Sequence, residues 1–222
     1  MMVPRDGMQS LVTSLSEALK DDIILHSSIQ SLSELKSPNI ILTTPTQSLA
    51  SLIESADPVS ANLLRAVSYS PLVTVTVHYH RSHFRKAPPS GVGVLIPRNE
   101  GFRILGVLFN SSAFNNRVQS KDYVSMTVML GGTTDPEALQ LTDSAVQAII
   151  NDELERLIGT TQNLTHLCRT NWSHAIPIYS LALAQAQKSL KEGFCSKPGL
   201  VVFNNYSKDV SIRGMIETLI KD

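Results

Sequence analysis

Neither sign of charge prevails in this chain. Over 222 residues, 19 Lys and Arg face 19 Asp and Glu, for a formal net charge of +0. A nucleic-acid-binding surface normally shows a basic excess or stripe, so no nucleic-acid partner is expected. The local group Arg81, Arg85 and Lys86 sits between a strand-like run and a Pro-rich turn, where a solvated loop is the plainer reading. Cysteine is scarce too. Cys168 and Cys195 lie far apart and lack metal-ligand spacing, which excludes a zinc site of ordinary pattern. Two buried or idle thiols in a reducing compartment are expected. No apolar run reaches the ~18 residues that would span a bilayer. No secretory signal is recognisable, so the acceptor patterns at Asn110, Asn163, Asn171 and Asn205 carry no weight.

The usual catalytic signatures are also missing. There is no Gly-x-Ser-x-Gly elbow, no Walker loop and no Gly-x-Gly-x-x-Gly between a strand and a helix. "GVGVLIP" holds a Gly-x-Gly, but in a hairpin context with no helix behind it. His78 and His80 are two apart on one strand face, as metal ligands can be. No carboxylate or Cys stands nearby, and a polar sheet face is the better reading, so no metal site is expected.

What is present is pattern. "PLVTVTVHYH" alternates cleanly, with Val73, Val75, Val77 and Tyr79 on one side and Thr74, Thr76, His78 and His80 on the other. "GVGVLIP" and "RILGVLFN", joined by the polar turn "RNEG", read as a hairpin, and "YVSMTVMLGG" as a further strand. Residues of about 71 to 132 therefore form an antiparallel or mixed sheet. "TDSAVQAIINDELERLIG" is a helix capped by Thr142 or Asp143 and stopped by Gly159. A strand in "LTHLCRTNW" and a helix in "IYSLALAQAQKSLKEG" follow.

The flanks have another style. After Gly7, Leu11, Leu15, Ala18 and Leu19 share one helix face. "DDIILHSSIQSL" reads as a short strand and a further extended piece. "NIILTTPTQSLASLI" is a buried strand, Ile40 to Leu42, a Thr-Pro turn and a helix. At the other end, "GLVVFNNYSKDVSIRG" is a strand, a loop and a helix start. Ile212, Met215, Ile216, Leu219 and Ile220 recur at helical spacing, so this last helix is expected to be packed. Its amides at Val210, Ser211 and Ile212 suit a pyrophosphate, although an ordinary helix capped by Asp209 or Ser211 explains the pattern as well. The fold expected is α+β: a mixed or antiparallel sheet with helices, plus pieces of an α/β domain contributed by both flanks.

In order, "GMQSLVTSLSEAL", "IILTTP", "PLVTVTVHY", "GVGVLIPRNEGFRILGVLFNSSAF", "MTVMLGG", "WSHAIPIY" and "NNYSKDVSI" resemble the C-terminal part of the flavin-dependent protoporphyrinogen oxidases, within the flavin amine oxidase superfamily. The most specific stretch is the long hairpin segment. The resemblance implies FAD as cofactor and a porphyrinogen as substrate, oxidised to protoporphyrin in haem synthesis. It implies backbone contacts to FAD at Ile29, Val210, Ser211 and Ile212, and Trp172 as a flavin-side aromatic. Val92, Gly93 and Leu95 match the strand facing the porphyrinogen, and Met129 an apolar wall over the ring. No residue here matches a catalytic acid or base. The implied division is 1–60 as a partial FAD-binding segment, 61–190 as the substrate-binding sheet and 191–222 as the returning FAD-binding strand and helix.

The chain departs from the family where Asn204 and Asp209 stand in place of glycines. It also lacks the Gly-rich dinucleotide fold and the helical membrane-binding part that the family carries upstream. The N-terminal half of the same enzyme is therefore an implied partner, a homodimer is a further one, and cytoplasmic placement is expected, with membrane attachment belonging to the absent part. Two other readings stand beside this one. One is a related amine oxidase-type or carotenoid desaturase-like enzyme. The other is a non-catalytic module that binds a porphyrin or a partner protein.

Overall fold

The computed structural model describes residue 4, residues 6–114, 116–207 and 211–221. Its elements in order are α1 (Met8–Ala18), β1 (Ile40–Leu42), α2 (Thr46–Ile53), α3 (Pro58–Arg65), β2 (Tyr69–His80), β3 (Gly93–Leu95), β4 (Ile104–Leu108), α4 (Asn110–Ala113), β5 (Tyr123–Gly131), α5 (Asp143–Ile158), β6 (His166–Pro177), α6 (Leu181–Glu192), β7 (Leu200–Val202) and α7 (Ile212–Lys221). The class is α+β. A five-stranded sheet has the order β3-β4-β5-β2-β6, and a two-stranded one joins β1 to β7. Two compact units result, one of Met1–Ile23 with Ser70–Ala175, the other of Ile24–Tyr69 with Ile176–Asp222.

The sheet unit grows from alternation. β2 runs antiparallel to β5, pairing Val73 with Leu130, Val75 with Val128, Val77 with Met126 and Tyr79 with Val124. All eight side chains are buried. α5 supplies Val146, Ile150 and Leu154 to the same cluster. Its ends are those the sequence announces: Thr142 accepts the Ala145 amide at 3.2 Å, and Gly159 closes the helix at φ 74°. Glu153 is buried on this helix and accepts the amides of Arg103 and Ile104 at 2.8 and 2.9 Å. It thereby fixes the start of β4, just where a bulge shifts the register between Ile104 and Gly106.

The second unit joins segments far apart in sequence. β1 and β7 are parallel, with Ile40, Ile41 and Leu42 opposite Leu200, Val201 and Val202. The helices α2, α3 and α6 bury Leu49, Ile53, Ala61, Leu64, Leu183 and Leu190 in one cluster with Tyr206. Asp57 caps α3, accepting from the Ser60 amide at 3.0 Å and the Ser60 hydroxyl at 2.7 Å. Burial pushes the Asp57 carboxyl upward, but the Ser60 and Phe194 hydrogen bonds and nearby Lys197 outweigh it and hold it below the usual aspartate value. These helices pack with the parallel pair, and the compact units divide at three points, after Ile23, Tyr69 and Ala175, where the sequence division has two, at 60/61 and 190/191.

Two local expectations are corrected. Ile23–Leu25 forms no strand: Ile24 and Leu25 are 83% and 73% exposed, and His26 turns the backbone left-handed at φ 56°. The last helix forms, yet Ile212 and Ile216 stay half exposed, because the described core of this unit is filled by α2, α3, α6 and Tyr206. Cys168 is exposed, since alternation turns it away from the core. The side chains of Leu219 and Ile220 lie outside the described residues. No described helix is long and apolar enough to cross a membrane.

Candidate functional site

The side of β2 opposite the core carries Thr74, Thr76, His78 and His80, which pair across the ladder with Met129, Thr127, Ser125 and Tyr123. Met129 and Thr127 in turn face Gly106 and Leu108 of β4. Leu108 and Gly106 pair with Gly93 and Leu95 of β3. Because side chains alternate, this register puts Gly93, Leu95 and Met129 on one face. Trp172 of β6 joins them, its indole N–H donating to the Thr74 hydroxyl at 3.1 Å. Four expected site residues from three strands thus share one surface. Leu95 and Trp172 are 80% and 50% exposed, while Met129 is half-buried.

Two glycines keep the β3–β4 end of this face close and flat. A Cβ on Gly93 would lie 2.4 Å from the Val107 carbonyl oxygen, and one on Gly106 would lie 2.6 Å from that of Val94. Only glycine permits this approach of the strands. Val92 behaves differently. It precedes β3, its carbonyl accepts the Phe109 amide at 2.9 Å, and alternation sends its side chain opposite to Gly93 and Leu95.

At the other end of the face the His78 and His166 rings lie 5.4 Å apart, and His80 meets the edge of Tyr123 at 5.4 Å. Burial, and then the neighbouring His166, hold His78 below the usual histidine value. Among the described residues no group of three or more His, Cys, Asp or Glu is placed to hold a metal. The face is thus broad, threonine-floored and apolar at its glycine end, and the residues named on it include no carboxylate. It can seat a flat apolar ligand and orient it.

The other expected residues fall in the second unit. Ile29 is half-buried in an irregular segment, beside the Gln30 and Ser31 amides that donate to the Glu34 carboxylate at 3.0 and 2.8 Å. Ser211 caps α7, its hydroxyl accepting the Gly214 amide at 2.9 Å. Ile212 opens that helix and is 52% exposed. Val210 and Asp209 lie outside the described residues.

The carboxyl ends of parallel strands are where open α/β layers gather ligands. Here the loops leaving β1 and β7 are tied together by side chains. The Asn204 amide donates to the carbonyls of Thr43 and Thr44 at 3.0 and 2.7 Å, and the Tyr206 hydroxyl donates to Thr44 at 2.8 Å. Burial, and then Tyr69 and Cys195, push the Tyr206 phenol well above its usual value, so it remains a donor. The Thr44 hydroxyl oxygen is buried there without a hydrogen-bond partner among the described residues. The sequence pattern presents Asn204 as a departure from glycine and gives Thr44 no role. The available signal was polar residues directly after two apolar strands, "LTT" and "FNN".

Comparison with known proteins places these surfaces in context. The family model described as flavin containing amine oxidoreductase matches residues 1–193. The mitochondrial protoporphyrinogen oxidase of Nicotiana tabacum is 27% identical over 164 residues, covering 72% of this chain and 32% of that protein. The chain spans about a third of the length of the curated relatives it matches. A structure from Exiguobacterium sp. 255-15, provisionally assigned to the protoporphyrinogen oxidases, superposes with a TM-score of 0.79 at 18% identity, over 97% of this chain and 50% of that one. The cyclohexylamine oxidase of Brevibacterium oxydans IH-35A superposes at 0.69 and 13% identity, over 91% and 48%. At these identities the superpositions establish the fold.

Proposed function

The chain belongs to the flavin-containing amine oxidoreductase family, and we propose that it forms the substrate-sheet and C-terminal flavin-facing portion of a protoporphyrinogen oxidase. In this reading the enzyme oxidises protoporphyrinogen IX to protoporphyrin IX in haem biosynthesis. The observation that carries it is the gathering of Gly93, Leu95, Met129 and Trp172 on one open face of the sheet. A flat macrocycle needs a broad apolar wall with few polar groups, and these residues supply one.

FAD is the cofactor of the family, and bound here it would supply the hydride-accepting chemistry. The residues of the second unit fit its polar portion on one count. The Thr44 hydroxyl is a buried polar atom with no partner among the described residues, just past the carboxyl end of β1. Within that unit, Ile29, Ser211 and Ile212 would supply backbone contacts. The role of the sheet is to orient the macrocycle and keep water from it. No acid or base on this face is needed for that. Upstream dinucleotide-binding sequence of the same enzyme, whether covalent or a separate chain, is the partner this reading requires, and self-association is compatible with it.

The test has two parts. Protoporphyrin added to the purified chain is expected to shift its absorption band and to quench Trp172 fluorescence, and Leu95→Glu is expected to weaken both. Joined to the N-terminal portion of a protoporphyrinogen oxidase, the chain is expected to restore oxidation of the porphyrinogen. Porphyrin binding without restored oxidation would favour a non-catalytic porphyrin-binding module. Oxidation of amines in place of the porphyrinogen would sink the substrate assignment.

A further inference from the structure

A cavity of about 400 Å³ lies within the sheet unit at the turn of the β3–β4 hairpin. It shares no lining residue with the open-face set Gly93, Leu95, Met129 and Trp172. Ile96, Phe102 and Leu105 form its apolar lining, and Arg98, Arg103 and Asp135 its polar one. The volume is in the range of small-molecule sites.

The charges of the lining do not balance. Arg103 is committed to Asp135 in a two-pronged pair, its Nε and one terminal nitrogen donating at 3.0 and 2.9 Å. That pair neutralises the one carboxylate in the lining. Arg98 is left without an ion pair or hydrogen bond to any described residue. Its guanidinium is nevertheless given a place. It lies against the Gly131–Gly132 turn, where a Cβ on Gly132 would stand 3.3 Å from it and 3.6 Å from Leu105. Both glycines have positive φ, 102° and 79°, so the turn is bare of side chains where the arginine rests. On the apolar side, the ring of Phe102 is steadied by the Arg156 guanidinium, 4.4 Å from its centroid.

We infer that this cavity is a binding site for a small organic anion, a carboxylate on a flat or compact apolar body. The carboxylate meets the fork of Arg98, whose planar donors match its two oxygens. The apolar body enters among Ile96, Phe102 and Leu105. The net positive lining selects the anion over a neutral molecule of the same shape. The site stands on the sheet unit alone and does not depend on the porphyrin reading.

The test uses the full chain and 2-naphthoate as probe, with its neutral analogue 2-naphthalenemethanol as control. Saturable binding of one naphthoate per chain is expected, at least about tenfold tighter than the alcohol. Arg98→Gln is expected to abolish that preference, and Glu100→Gln, an exposed neighbour outside the lining, to leave it unchanged. Added salt should weaken naphthoate and spare the alcohol. Equal affinity for the two probes, no saturable naphthoate binding, or full naphthoate affinity in Arg98→Gln would each overturn the proposal. A melting curve of Arg98→Gln matching the parent would verify that the loss is local.

Discussion

The five-stranded sheet and the β1–β7 pair are assembled in opposite ways. β2 and β5 share nine register pairs within one stretch of chain, and every second residue carries its own burial instruction. β1 and β7 share three pairs and are drawn from the two flanks of the chain. The sheet is held by many small, repeated side-chain contacts. The parallel pair packs on its helices and is joined across its carboxyl ends by a few specific polar ties, chiefly Asn204 and Tyr206 on Thr43 and Thr44. A structure of the first kind tolerates change on its open face and resists it in the core. One of the second kind is sensitive at single polar residues.

The largest expected effect is in the sheet core. Leu130→Ala, at a fully buried position, should cost about 2–5 kcal/mol, read by urea denaturation. A loss below about 1 kcal/mol would break the claim that the sheet is core-held. Next comes Asn204→Ala, which removes two hydrogen bonds between distant loops and should cost roughly 1–3 kcal/mol. Amide exchange should show the loss at β1 and β7 and spare β2 and β5. Equal loss in both would erase the contrast.

The acid response should sharpen it further. Asp57 has a folded pKa below its unfolded one, so its stabilisation is complete above the ordinary aspartate range and is lost as pH falls through the folded value. Asp57→Asn should therefore be less stable than the parent at neutral pH, and the gap should close on titration from about pH 6 to about pH 3. A gap constant with pH would remove the carboxylate from the account. Smallest of all should be Leu95→Ser, at 80% exposure, which is expected to move stability by less than about 0.5 kcal/mol. Its effect belongs in the porphyrin titration.

Much of this was legible beforehand, for identifiable reasons. Val73 to Tyr79 declared both faces of β2, and Thr142 and Gly159 declared both ends of α5, because these signals act over a few residues. The coming together of Gly93, Leu95, Met129 and Trp172 on one face was legible only as a resemblance, since it rests on the registers of separate strands. Ile23–Leu25 misled because a short apolar run has no period to betray it, and the left-handed turn at His26 leaves no mark in composition. Asn204 misled because its partners are carbonyls of residues 160 positions and more away.

The sequence by itself determined the elements of local origin: alternating strands, capped helices, the β3–β4 hairpin and the class α+β. It also carried, through the order of its motifs, the family to which the chain belongs. The tertiary structure alone decided to which side Val92 turns, which helices go with the parallel pair, that Asn204 is a tie, and that Arg98 lines a cavity with no partner among the described residues. The physical reason is range. Propensity, capping and alternation are settled between neighbours in the chain, whereas register, burial and charge pairing are settled between residues that meet only when the chain has folded.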